Sequence, residues 1–107
     1  MKIPESIRIG GVEYAVRYAE NVRIVNDIVY GMIDYDNCEI TLSTTDGNSL
    51  QHQCITLWHE ILHGIRNHNG MEIEDEEKIV DMFAKGIYQV LQDNGRRLFD
   101  MREVTAE

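Results

Sequence analysis

The stretch Trp58-His59-Glu60-Ile61-Leu62-His63 holds residue types at a spacing that can do chemistry. It reads H-E-x-x-H. On a helix, residues four apart lie about 40° apart around the axis and one turn from each other. Both imidazoles can therefore reach one metal ion, and Glu60 can meet a water held by that ion. By ordinary residue usage this pattern arises by chance on the order of a few times per thousand chains of this size. The plainer alternative is two surface histidines beside a surface glutamate. The surrounding pattern favours chemistry. Leu50, Cys54, Leu57, Ile61 and Ile65 recur at helical spacing and predict a core face, widened by Trp58 and Leu62. His59 and His63 fall off that stripe, so the helix has one face for a core and one for a cleft.

A catalytic zinc takes three protein ligands and leaves a fourth position for water. Two histidines leave one ligand to find. Downstream, Glu77 and Asp81 are four apart and share a helix face. Glu77 is the candidate third ligand. Asp81 is placed to accept a hydrogen bond from a ligand histidine and so fix its orientation. Glu74, Asp75 and Glu76 read as a solvated acidic helix start, favoured by the helix dipole.

The elements that must position these groups divide the chain in two. Ser6–Ile9 and Val12–Tyr18 flank Gly10-Gly11, a hairpin signal because both glycines accept positive φ. A second hairpin is expected from Ile28 to Leu42, turning at Asp36-Asn37. Glu20–Asp27 is either a short strand or a linking turn. Asn48 with Gln51 resembles a capping box for the first helix, which should stop near Asn67–Gly70. The second helix should begin near Glu74, bury Ile79, Met82, Phe83, Ile87, Val90 and Leu91, and end at Gly95. The expected fold is α+β: N-terminal antiparallel β-hairpins followed by two long helices, in one domain over residues 1–107. Residues 96–107 read as a polar tail. Cys54 falls on the core side of its helix and Cys38 beside a turn, two reduced thiols rather than a disulfide scaffold.

His59-Glu60-x-x-His63, followed by Glu77-x-x-x-Asp81-x-Phe83, resembles the gluzincin metallopeptidases. Glu77 to Ala84 also resembles the Glu-x-x-Ala-Asn-x-Phe-Ala region of ImmA/IrrE-type metallopeptidases, with Val80 for alanine and Asp81 for asparagine. The small size and the strands-then-helices order are similar to minimal gluzincin domains, several of them phage- or prophage-encoded. The resemblance spans roughly Ile28 to Leu91. It implies a minimal zincin-like domain with zinc on His59, His63 and Glu77, and Glu60 as general base. It also implies a peptide or protein substrate, such as a cytoplasmic regulator, pairing with the strand Cys38–Ser43. Two departures stand out. Larger gluzincins stabilise the oxyanion with a histidine or tyrosine from a second subdomain, for which this chain has no room; His68, Tyr88 and His52 are the candidates here. The separation of Glu77 from the motif is also short, which requires a tight connecting loop. His68 is the alternative third ligand, as in some SprT-like proteins. A metzincin pattern fails, because Arg66 and Asn69 stand where glycine and histidine are required.

Composition narrows the function classes. The 107 residues carry 10 basic and 19 acidic side chains, net −9. Such a surface repels phosphate backbones and argues against a nucleic-acid binder or a polybasic membrane anchor. No apolar leader segment follows Met1-Lys2-Ile3-Pro4-Glu5, and no apolar run approaches the roughly 20 residues of a membrane span. The expected location is cytoplasmic, in the bacterial host if phage- or prophage-encoded. Two rivals to a working peptidase remain. One is a non-catalytic metal-binding regulatory or interaction protein. The other is a latent enzyme whose segment Leu98–Glu107, with Asp100, Glu103 and Glu107, covers the cleft.

Overall fold

Gly10 and Gly11, at φ 57° and 82°, make the two-residue turn between β1 (Ser6–Ile9) and β2 (Val12–Ala19), with Ile9 opposite Val12. The computed structural model describes residues 1–45 and 49–99. The undecided segment forms a two-rung hairpin, β3 (Arg23–Ile24) with β4 (Asp27–Ile28). β5 (Gly31–Asp34) and β6 (Glu39–Ser43) pair antiparallel, so the second hairpin lies where the alternation put it. Its turn is held by Asp34, whose carboxylate accepts from the backbone N–H of Asp36 and Asn37 and from the Asn37 side chain. Those bonds lower the Asp34 pKa.

The hairpins do not stand apart. β2 and β6 run parallel, Ala15 opposite Glu39 through Ala19 opposite Ser43, giving a sheet ordered β1-β2-β6-β5. β6 is therefore hydrogen-bonded on both sides, and β5 is an edge. This corrects the expectation that the segment Cys38–Ser43 is open to pair with a substrate; of the two edge strands, β1 and β5, it is β5 that lines the cleft.

α1 (Leu50–His68) lies against one face of this sheet. Ile9, Tyr14, Val16, Ile40 and Leu42 from the sheet meet Leu57 and Ile61 in one buried cluster, with Trp58 packed against it. Cys54 is buried as expected. Leu50 and Ile65, assigned to the same face, are exposed. Asn48 lies outside the described residues; the cap is Ser49, whose hydroxyl accepts from the His52 N–H.

α2 (Glu76–Leu98) departs most from expectation. It starts after Asp75, which holds a left-handed φ of 57°, and runs through Gly95 to Leu98. Its buried residues are Val80 and Ala84, while Met82, Phe83 and Val90 are half or more exposed and Ile79 is partly so. Small side chains let α2 come close to α1; Ile87 and Leu91 on the same face are half-buried, while Met82, Phe83 and Val90 lie on the other. Among the described residues, no helix is long and apolar enough to cross a membrane.

Candidate metal site

α1 projects His59, Glu60 and His63 toward α2, which brings Glu76, Glu77 and Asp81 to the same place. The His59 Nε2 and His63 Nε2 atoms are 3.2 Å apart. Glu77 spans both: Oε1 lies 2.6 Å from His59 Nε2, and Oε2 lies 3.1 Å from His63 Nε2. One ligand atom from each of these three residues lies within 4.8 Å of the others, so the group can hold a metal ion. The tight loop between the helices, Asn69 to Asp75, is what the short separation of Glu77 from the motif required.

His63 is held from behind. Its Nδ1 is 2.6 Å from Glu76 Oε2, and Arg66 Nε is 2.9 Å from Glu76 Oε1. The histidine bond first, and then Arg66, lower the Glu76 pKa and keep it an anion. An Nδ1–H donated to Glu76 leaves Nε2 with its lone pair facing the metal position. Glu76 is thus a working part of the site, not the solvated helix start expected of it. The available signal was Arg66, three residues after His63 and so on the same edge of α1. Glu76→Ala should weaken the affinity for an added divalent metal by about 10- to 100-fold with the fold retained, as read by competition with a chromogenic chelator. Asp81 is placed less tightly. Its Oδ1 is 3.9 Å from His59 Nδ1, too far for a hydrogen bond, and Oδ2 accepts from Lys85 at 2.9 Å.

Glu60 is buried, with 6% of its surface exposed. Desolvation raises its pKa from 4.5 to about 7; Glu77 adds to the rise and His63 opposes it. Gly31 on β5 is what lets the edge strand close over this carboxylate. A Cβ there would meet Thr56 Cγ2 at 2.5 Å and lie 3.5 Å from Glu60 Oε2.

A scan of protein-family models, a search of curated proteins and a search of solved structures each found no match. The site is therefore described from its own geometry. It opens into a cleft of about 670 Å³. One wall is apolar, made by Ile24, Ile28 and Val29 of the β3–β4 region with Ile55 of α1; Asp81 and Lys85 flank the other side. Tyr30 and His52 also line it, their rings edge to face at 4.3 Å. Neither Tyr30 nor the apolar wall carried a motif by which sequence could have marked it.

Of the three expected oxyanion donors, only His52 lines this cleft. His68 lies over the first hairpin turn, where a Cβ on Gly10 would come within 2.2 Å of its ring. That placement removes His68 as a metal ligand. Tyr88 sits half-buried on α2, away from the cleft lining. Cys38, at φ 54°, closes the β5–β6 turn, with its Sγ 3.7 Å from the Tyr35 carbonyl. Both cysteines are free thiols. The tail acids Asp100, Glu103 and Glu107 lie outside the described residues.

Proposed function

We propose that this chain is a zinc-dependent metallopeptidase. The observation that carries the reading is the convergence of two Nε2 atoms and one carboxylate beside a buried glutamate of raised pKa. Two nitrogens each about 2.0–2.1 Å from a tetrahedral zinc stand about 3.3 Å apart. The His59–His63 separation of 3.2 Å fits that, and Glu77 Oε1, now 2.6 Å from His59 Nε2, would draw back to join them. Borderline-soft imidazoles with one carboxylate are a donor set suited to zinc and poor for calcium or magnesium. When bound there, zinc supplies a polarised carbonyl and a water whose pKa falls to about 7.

The protein's own groups do the rest. Glu60 takes the proton from the attacking water and passes it to the leaving amine. Burial raises its pKa to about 7 in the metal-free site, and the positive charge of a bound metal would draw it back down, so that it meets the water as a carboxylate able to take that proton. The β5 edge offers unpaired backbone groups to an extended peptide, with Gly31 and Ile33 on the cleft. The wall of Ile24, Ile28, Val29 and Ile55 suits a bulky aliphatic or aromatic side chain next to the scissile bond. Tyr30 and His52 are the polar groups placed to meet a developing oxyanion from within this domain. The resemblance noted above supports the same reading, with a cytoplasmic, phage- or prophage-type regulator as peptide source.

Metal content tests this reading. Purified wild-type chain should carry one zinc per chain by atomic emission, and His63→Ala and Glu77→Ala should each lose it while keeping their helical circular dichroism. Zinc retained by Glu77→Ala would remove Glu77 from the ligand set. Full zinc with no turnover on any peptide would leave the non-catalytic metal-binding reading in its place.

A further inference from the structure

α2 has two apolar faces. One, carrying Val80 and Ala84, packs on α1. The other runs along the opposite side through Ile79, Met82, Phe83, Gly86 and Val90, of which Met82, Phe83 and Val90 are 60%, 51% and 52% exposed. At 100° per residue these five positions fall within about a 100° sector, a continuous stripe rather than scattered residues. Its middle forms a shallow groove floored by Gly86, around which a Cβ would meet nothing within 4 Å. Exposed apolar stripes of this size mark interaction sites.

We propose that this stripe is a self-association surface on which a second copy of the chain lays its own α2 antiparallel. Two features of the chain select that partner and that orientation. First, the stripe centres its apolar pair Met82 and Val90 on Gly86, which stands near the middle of α2, while Phe83 faces Gln89 and Ile79 faces Asp93. Met82 and Val90 lie four residues to either side, so a two-fold axis through Gly86 sets each against the other. Gly86, lacking a side chain, lets the two helix axes come closest at the crossing. Second, the two ends of α2 carry opposite charge. Glu72, Glu74 and Asp75 precede it, and Arg96 and Arg97 close it, all five exposed. Asp75 and Arg97 lie eleven residues to either side of Gly86. An antiparallel pair places acid over base at both ends and aligns the helix dipoles favourably. A parallel pair stacks acid on acid and arginine on arginine. The net charge of −9 opposes association of two copies overall, and a single helix pair buries less than a standard interface. The dimer is accordingly a weak one, with Kd of roughly tens of micromolar. This inference is independent of the metal site.

Sedimentation equilibrium of the full chain from about 10 μM to about 1 mM tests it. A reversible monomer–dimer equilibrium is expected, weakened about tenfold or more by Phe83→Glu and by the Arg96→Glu/Arg97→Glu pair, with circular dichroism unchanged. Gly86→Cys should oxidise to a covalent dimer in high yield against a wild-type control while Val90→Cys should not, because an antiparallel crossing at Gly86 brings that position alone against itself, whereas a parallel pair would do so for both. A chain monomeric throughout the range overturns the proposal. So does a dimer indifferent to Phe83→Glu, or one that persists while Gly86→Cys fails to cross-link.

Discussion

Glu60→Gln is expected to lower kcat for peptide hydrolysis by about 10²- to 10⁴-fold while one zinc per chain stays bound. The amide matches the carboxyl group in size, so the buried pocket between α1 and Gly31 is filled as before. What it cannot do is accept the water's proton. Because Glu60 is not among the three groups that converge on the metal position, its loss should leave zinc content untouched. Cleavage of a fluorescence-quenched peptide with a central leucine, run beside zinc analysis of the same sample, checks both halves. A zinc-loaded variant that cleaves at the wild-type rate would remove Glu60 from the mechanism.

The same substitution should act in the opposite direction on stability. In the metal-free protein, the Glu60 pKa is about 7, against about 4.5 in an unfolded chain. A raised carboxyl pKa means that the folded state holds its proton more tightly. The contribution is therefore favourable below about pH 4.5 and is lost as pH climbs to about 7. The difference corresponds to about 3 kcal/mol. Glutamine does not titrate. The advantage of Glu60→Gln over wild type should consequently grow by about 3 kcal/mol between pH 4 and pH 8, read from urea unfolding in the presence of a chelator. A difference that stays flat with pH would show that this carboxylate is not desolvated. A residue that costs stability at neutral pH and would supply the base of the proposed reaction fits the pattern of strain kept for function.

What was legible in the sequence was local. H-E-x-x-H is a pattern of five consecutive positions on one helix, and its phase against Leu57 and Ile61 already separates a cleft face from a core face. The two hairpins follow from alternation and from turn residues a few positions long. Glu77 could be reached because it shares a face with Asp81 at helical spacing. What escaped depended on how distant elements meet. The parallel contact of β2 with β6 joins residues 24 apart, and no local signal specifies it. Glu76 and Glu77 differ only in which histidine edge each one faces, and that is set by the docking of α2 on α1. The apolar positions of α2 fall on two faces, and spacing alone does not say which one docks: Ile87 and Leu91 share the half-buried side with Val80 and Ala84, while Met82, Phe83 and Val90 lie on the exposed one. Val80 and Ala84 are buried where α2 comes closest to α1, and Phe83 is exposed because it falls on the other face.

That shallow seating has a consequence for the whole molecule. α2 is 23 residues long and buries only Val80 and Ala84, so apolar contact alone holds it weakly. The same helix supplies Glu77 to two histidines of α1, and Glu76 to one of those histidines and to Arg66. A metal bound there works as a buckle. It ties the outer helix to the sheet-backed inner one and raises the free energy of opening them by the energy of its own binding. Amide exchange along α2 should thus follow metal occupancy, while exchange in Leu57 and Ile61 follows global unfolding. Loss of the metal then leaves this helix docked but lowers the free energy needed to peel it away.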